Sequence, residues 1–170
     1  MQPPSVHPAA LEAEQLLADC QSRRLRRSGP GGQHRNKVET AWLLLHRPTG
    51  LKAEASERRS QAENRRVALF RLRVNLALEV RHPVGEDYRP SPLWRSRCRA
   101  RQVQVSAAHD DFPAILAEAL DVIAACGADP KAAAEMLGCT ASQLVKLLKK
   151  EPRALGLINA WRAAEGLKPL

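Results

Sequence analysis

No helix or strand can run through Ser28-Gly29-Pro30-Gly31-Gly32, so the first half of this chain is built around an irregular loop. A second break follows at residues 83–92, which hold Pro83, Gly85, Pro90 and Pro92. These breaks divide the chain into residues 10–82, a Pro-rich basic linker over 83–105, and residues 106–170. Of the 170 residues 44% are hydrophobic but only 4% aromatic, which favours two small aliphatic cores over one large one.

Local signals place the elements around the loop. Residues 1–8 are Pro-rich and read as disordered, and Leu11, Leu16 and Leu17 suggest a short helix ending near Cys20. Gln21 to Arg27 is basic and extended. Val38 to Arg47 is rich in strand formers, Pro48-Thr49-Gly50 is a turn, and Leu51 to Glu57 is the return strand. Ser60 with Glu63 forms a capping-box signature for a helix running to about Val80, with Leu69, Leu72, Leu76 and Val80 as its buried stripe.

The charge is lopsided. The net charge is +9; residues 1–101 hold 20 of the 27 Lys and Arg and 10 of the 18 Asp and Glu, whereas residues 102–170 hold 7 and 8. A half this basic, dominated by Arg, points to a polyanionic partner rather than a merely solvated face. Cys20, Cys98, Cys126 and Cys139 form no Cys-x-x-Cys pair and no zinc spacing with any histidine, so they read as buried small hydrophobes in a reducing compartment. The longest apolar run, Ala41 to Leu45, is too short to cross a bilayer, and no Lys or Arg precedes Arg23; no leader, no membrane and a cytoplasmic location are expected.

Gly31-Gly32-Gln33 alone is weak evidence, because three such residues recur by chance. Its surroundings are specific. The stretch Ser28-Gly29-Pro30-Gly31-Gly32-Gln33-His34-Arg35-Asn36-Lys37 is followed by Thr40-Ala41, His46-Arg47-Pro48-Thr49-Gly50, and Arg59-Ser60-Gln61 with Asn64. In this order and spacing, residues 16–80 resemble the catalytic domain of class I peptide chain release factors and codon-independent ribosome-rescue hydrolases. The resemblance implies an α+β fold: a small antiparallel sheet with a packed helix and the Gly-Gly-Gln loop. It also implies release of nascent peptide from peptidyl-tRNA.

The chemistry of that reaction suits the loop. Water attacks an ester carbonyl, and RNA can orient the reactants, so the protein must admit one water and stabilise an oxyanion. Gly31 and Gly32, lacking Cβ, allow close approach to RNA and positive φ, which would aim the Gln33 N–H at the carbonyl oxygen. The resemblance assigns the Gln33 side chain to excluding larger nucleophiles. Water is the only co-substrate, and no cofactor or metal is implied. Arg26, Arg27, His34, Arg35, Asn36, Lys37, Arg58, Arg59, Ser60, Gln61 and Asn64 are the candidates for RNA contact or loop support. For Arg59 to Asn64 both RNA contact and helix capping are open; His46 reads as structural. Arg35 departs from the apolar residue that many members carry there.

The last piece reads as a small all-α domain of four short helices. Asp110 or Asp111 caps the first, whose stripe is Ile115, Leu116, Ala119, Leu120 and Ile123; Pro130, Thr140 and Glu151-Pro152 open the others. Residues 131–150 resemble a helix-turn-helix, with Gly138 in the turn and Leu144 and Leu147 as anchors. Thr140, Ser142, Gln143, Lys146, Lys149 and Lys150 are its candidate nucleic-acid contacts, although the piece is net −1. The codon-reading domains of stop-codon-dependent factors and the basic tail of rescue hydrolases are not found. The reading is therefore a monomeric, codon-independent peptidyl-tRNA hydrolase whose partners are the ribosome, through large-subunit rRNA, and peptidyl-tRNA. The alternative is a non-catalytic RNA-, ribosome- or DNA-binding regulator on the same domain. Hydrolysis of free peptidyl-tRNA ranks last, since no general base lies near the loop.

Overall fold

A computed structural model describes residues 6–25 and 41–170. They fall into two units: Leu11–Leu76, and residues 6–10 together with Ala77–Leu170.

In the first unit, α1 (Ala13–Ala18) leads into β1 (Cys20–Leu25), β2 (Ala41–His46), β3 (Lys52–Ala55) and α2 (Gln61–Glu79), whose last residues lie past the unit boundary. The sheet order is β1-β2-β3, both pairs antiparallel, with Cys20 opposite His46, Leu25 opposite Ala41 and Trp42 opposite Ala55. Alternation along the strands puts Leu44 and His46 on one face with Ala53 and Ala55, and all four are buried. Mixed α and β structure with a small antiparallel sheet is what the sequence led us to expect.

α2 lies along β3. Its Arg71 and Asn75 donate to the Glu54 and Lys52 carbonyls at 2.8 and 2.9 Å, satisfying backbone acceptors that an edge strand leaves unpaired. Its buried stripe is Asn64, Ala68, Leu72 and Leu76; Leu69 and Val80, expected in that stripe, are only half-buried. Ala68 is small, yet it holds the i, i+4 row that faces inward. Arg47 closes α1 by donating from Nη2 to Ala18 O at 2.5 Å and from Nε to Asp19 O at 3.3 Å, the usual place for a cation at a helix C-terminus.

In the second unit come α3 (Pro92–Arg97), a two-stranded ribbon of β4 (Cys98–Arg99) and β5 (Gln102–Val103), then α4 (Phe112–Ala125), α5 (Pro130–Leu137), α6 (Ala141–Leu148) and α7 (Pro152–Ala164). Residues 83–105, expected as a linker, instead contribute to this unit's core. Glu118 on α4 accepts from Tyr88 Oη, Ser91 N and Ser91 Oγ at 2.6, 2.7 and 2.6 Å, and buried Trp94 donates its indole N–H to Leu137 O at 2.7 Å. Burial and the Glu118 carboxylate keep the Tyr88 phenol protonated. Pro92 opens α3 as its first residue, where its missing N–H costs nothing.

α4 buries more than the single stripe its spacing predicts: eleven of its fourteen residues are buried, as suits a central helix. Asp111 occupies its N-cap position, but the carboxylate pairs with Arg97 at 2.6 Å instead of capping. Asp129, Thr140 and Glu151 do cap α5, α6 and α7, accepting from the N–H groups of Lys131, Gln143 and Arg153. Gly138, φ +69°, ends α5 in the left-handed conformation that glycine takes at least cost. The tip of the ribbon takes the same region without glycine, at Ala100 (φ +47°) and Arg101 (φ +62°). Each such residue costs about 1–2 kcal/mol, so the surroundings must hold the turn.

Residues 6–8 are ordered: Pro8–Ala10 form a 3-10 turn, and His7 Nε2 lies 3.1 Å from Val80 O. Of the four cysteines only Cys139 is fully buried; Cys20, Cys98 and Cys126 are half-buried, and all are free thiols.

Candidate functional site

The catalytic candidates Gly31, Gly32 and Gln33 lie outside the described residues, as do Arg26, Arg27, His34, Arg35, Asn36 and Lys37. The described residues that flank them, Leu25 and Ala41, are Cα partners at the end of the β1–β2 pair. The scaffold on which the segment is mounted is therefore defined by two paired strand ends.

The β2–β3 turn is held by its own motif. His46 is 2% exposed and its Nδ1 lies 2.8 Å from Thr49 Oγ1, which also accepts from Leu51 N at 3.3 Å. Gly50, φ +72°, donates to His46 O at 2.8 Å, and His46 N donates to Leu51 O at 2.9 Å. Burial holds the His46 imidazole below its ordinary range, so it is neutral at pH 7 and structural in this turn.

The Asn64 side chain is bonded to the backbone just ahead of α2. It is fully buried, accepting from Arg58 N at 2.9 Å and donating from Nδ2 to Arg58 O at 2.8 Å. That clasp fixes the segment before α2 and leaves the Arg58 and Arg59 side chains exposed beside Ser60. Ser60 caps the helix through Oγ, which accepts from Glu63 N at 3.4 Å, and Gln61 begins the helix, half-buried.

One cluster escaped the sequence reading. Trp42 on β2 has the guanidinium carbons of Arg24 and Arg65 at 5.3 and 5.6 Å from its ring centre. Arg24 reaches it as the cross-strand partner, and Arg65 comes from α2. Three residues so far apart in the chain carry no local signal; strand register brings them together.

The candidates in the second unit divide. Ser142, Lys146 and Lys149 are exposed on one face of α6, and Gln143 is half-buried. Thr140 spends its hydroxyl on the cap, and Lys150 donates its ammonium to Val105 O, so both serve the fold.

The family profile described as the RF-1 domain matches residues 13–105, more than half of the chain. The chain belongs to this family. Among similar proteins is the peptide chain release factor 2 of Variovorax paradoxus (strain S110), 45% identical over 67 residues, which are 39% of this chain and 18% of that protein. The mitochondrial peptide chain release factor 1 of Bos taurus is 36% identical over 74 residues, 44% of this chain and 17% of its own. A mitochondrial peptide chain release factor 1-like protein of Rattus norvegicus is 45% identical over 51 residues, 30% and 14% of the two chains. The match thus spans less than a fifth of these relatives, and no helix among the described residues is long and apolar enough to cross a membrane.

Proposed function

We propose that this protein hydrolyses the ester of peptidyl-tRNA on stalled ribosomes, without reading a codon, from the cytoplasm and as a monomer. The observation that carries the reading is the order Gly31-Gly32-Gln33, Asn36, His46 to Gly50 and Arg59 to Asn64 in a chain of the RF-1 domain family. The scaffold supports it: the turn at His46–Gly50 and the Asn64 clasp are closed by their own hydrogen bonds, leaving Arg58, Arg59 and the Arg24–Trp42–Arg65 cluster to meet RNA. In this reading the backbone N–H of Gln33 stabilises the oxyanion, its side chain admits only water, and the basic first unit docks on large-subunit rRNA.

The test is peptide release from ribosomes stalled on mRNA with no stop codon. Native protein is expected to release peptide, and Gly32→Ala, whose added Cβ would turn the Gln33 N–H away from the carbonyl, to slow release by about a hundredfold, the scale of losing one oxyanion donor. Equal rates for native and variant protein would show that the loop is not the active site. Dependence on a stop codon would remove the codon-independent part, and turnover without ribosomes would shift the substrate to free peptidyl-tRNA.

A further inference from the structure

Residues 102–170 are net −1, but the charge of residues 88–150, all in the second unit, is unevenly spread. Two stretches hold no Asp or Glu: residues 88–109, with Arg89, Arg95, Arg97, Arg99 and Arg101, and residues 136–150, with Lys146, Lys149 and Lys150. The fold brings them side by side. Thr140 N donates to Arg101 O at 3.3 Å, Arg101 Nη2 donates to Cys139 O at 3.2 Å, and the Cys98 thiol reaches Gly138 O at 3.7 Å. At the other end the Lys150 ammonium holds Val105 O. α6 therefore runs alongside the ribbon, from the tip at Arg101 to Val105.

Alternation decides what this pairing shows to solvent. Val103 and Val105 are buried, as are Leu144, Leu147 and Leu148 on α6. The outward residues are the cross-strand pair Arg99 and Gln102, then Gln104, and on the helix Ser142, Lys146 and Lys149. The side chains of Arg99, Lys146 and Lys149 have no hydrogen bond or ion pair with any described residue, whereas Arg97 is paired with Asp111 and Arg153 with Glu151. Arg101, left-handed like Ala100 before it, is bonded to the α5–α6 turn, which fixes the ribbon tip against the start of α6. The two cationic strips are thus set before any partner arrives.

We propose that the outward faces of the β4–β5 ribbon and α6 form one docking surface for the phosphate backbone of RNA, with Arg99, Lys146 and Lys149 supplying the charge. Unpaired cations interleaved with neutral Ser and Gln donors suit phosphodiester oxygens, which position a protein without reading sequence. The surface carries no large exposed apolar side chain: among the described residues these are Val6, Met136 and Leu167. It lacks the apolar anchors that a protein interface or a membrane-surface helix requires. The choice of RNA over DNA rests on the ribosomal reading above.

The test uses the full chain and fluorescence anisotropy with a labelled RNA duplex of about 20 base pairs and a DNA duplex of the same sequence. Lys146→Glu/Lys149→Glu is compared with Lys131→Glu/Lys168→Glu, the same charge change elsewhere in the unit, with circular dichroism to check folding. The first pair is expected to weaken RNA binding about tenfold and to lower the salt slope by about two, and the second to change binding less than about twofold. Arg99→Glu alone is expected to cost about threefold, and Lys146→Arg/Lys149→Arg to bind as the native chain does. A photo-crosslinker at Gln104 is expected to capture RNA, and one at Lys131 not to. Equal losses from both Lys pairs, or no capture at Gln104, would overturn the surface; DNA bound as tightly as RNA would overturn the choice of partner. The release assay separates the two readings. Binding lost on Lys146→Glu/Lys149→Glu in a protein that releases no peptide leaves the surface standing and removes the hydrolase. Release with RNA binding indifferent to that pair does the reverse.

Discussion

Replacing Asn64 probes the support beneath the candidate site, and two substitutions there separate packing from polarity. Asn64 is 0% exposed and both ends of its amide are bonded to the backbone of Arg58. At about 1 kcal/mol net for each bond, Asn64→Ala should cost about 2 kcal/mol, with a little more for the vacated space. Asn64→Asp keeps an acceptor for Arg58 N but turns a carboxylate oxygen toward Arg58 O, where Nδ2 had donated. A buried carboxylate facing a carbonyl should cost about 3 to 5 kcal/mol at pH 7, more than the alanine. Its sign with pH follows. The new carboxyl is held protonated in the folded state, because only the acid form can donate to Arg58 O, so its folded pKa is raised above the unfolded value of about 3.9. Stability relative to Asn64→Ala is then greatest near pH 4 and is lost as pH rises through the folded pKa. The assay is urea unfolding from pH 4 to 7.5, read by hydrogen exchange of residues 41–55 and 61–76 so that the Leu11–Leu76 unit is followed by itself. An Asn64→Asp protein as stable as Asn64→Ala at pH 7, or one whose deficit does not shrink in acid, would refute the clasp.

Trp94→Phe removes the donor to Leu137 O inside the second unit and should lower that unit's stability by about 2 kcal/mol in urea unfolding, whereas an unchanged midpoint would mean the carbonyl finds another partner. Ala100→Gly relieves a left-handed residue at a cost in chain entropy, for a net gain of about 0.5 kcal/mol seen as a raised melting temperature; a loss would show that the turn is not strained. His7 accepts from Ala9 N at Nδ1, at 3.0 Å, and burial lowers its pKa from 6.5 to about 4. The folded state holds it neutral, so its contribution is present above about pH 6.5 and is lost as pH falls toward 4. The protection factors of the Ala9 and Ala10 amides, which allow for the intrinsic slowing of exchange in acid, should fall over that window in the native chain and lose the pH step in His7→Gln.

Much of the local structure was legible in the residues because its causes are local. Pro48-Thr49-Gly50 made a turn, Ser60, Thr140 and Glu151 began helices, and Gly138 ended one, each through bonds or φ values settled within a few residues. The order of motifs around Gly31-Gly32-Gln33 pointed to the family that the match over residues 13–105 then identified. What the sequence could not decide depended on partners distant in the chain. Trp42 meets Arg24 and Arg65 through strand register and helix placement. Residues 83–105 had the composition of a linker but bury Trp94, because Leu137 and Glu118 supply bonds that only the folded unit offers. The same physics sorted the charge of the second unit. The helix-turn-helix resemblance marked Leu144 and Leu147 as the anchors of α6, but only the bonds joining Arg101 and Val105 to Thr140, Cys139 and Lys150 set the ribbon beside it.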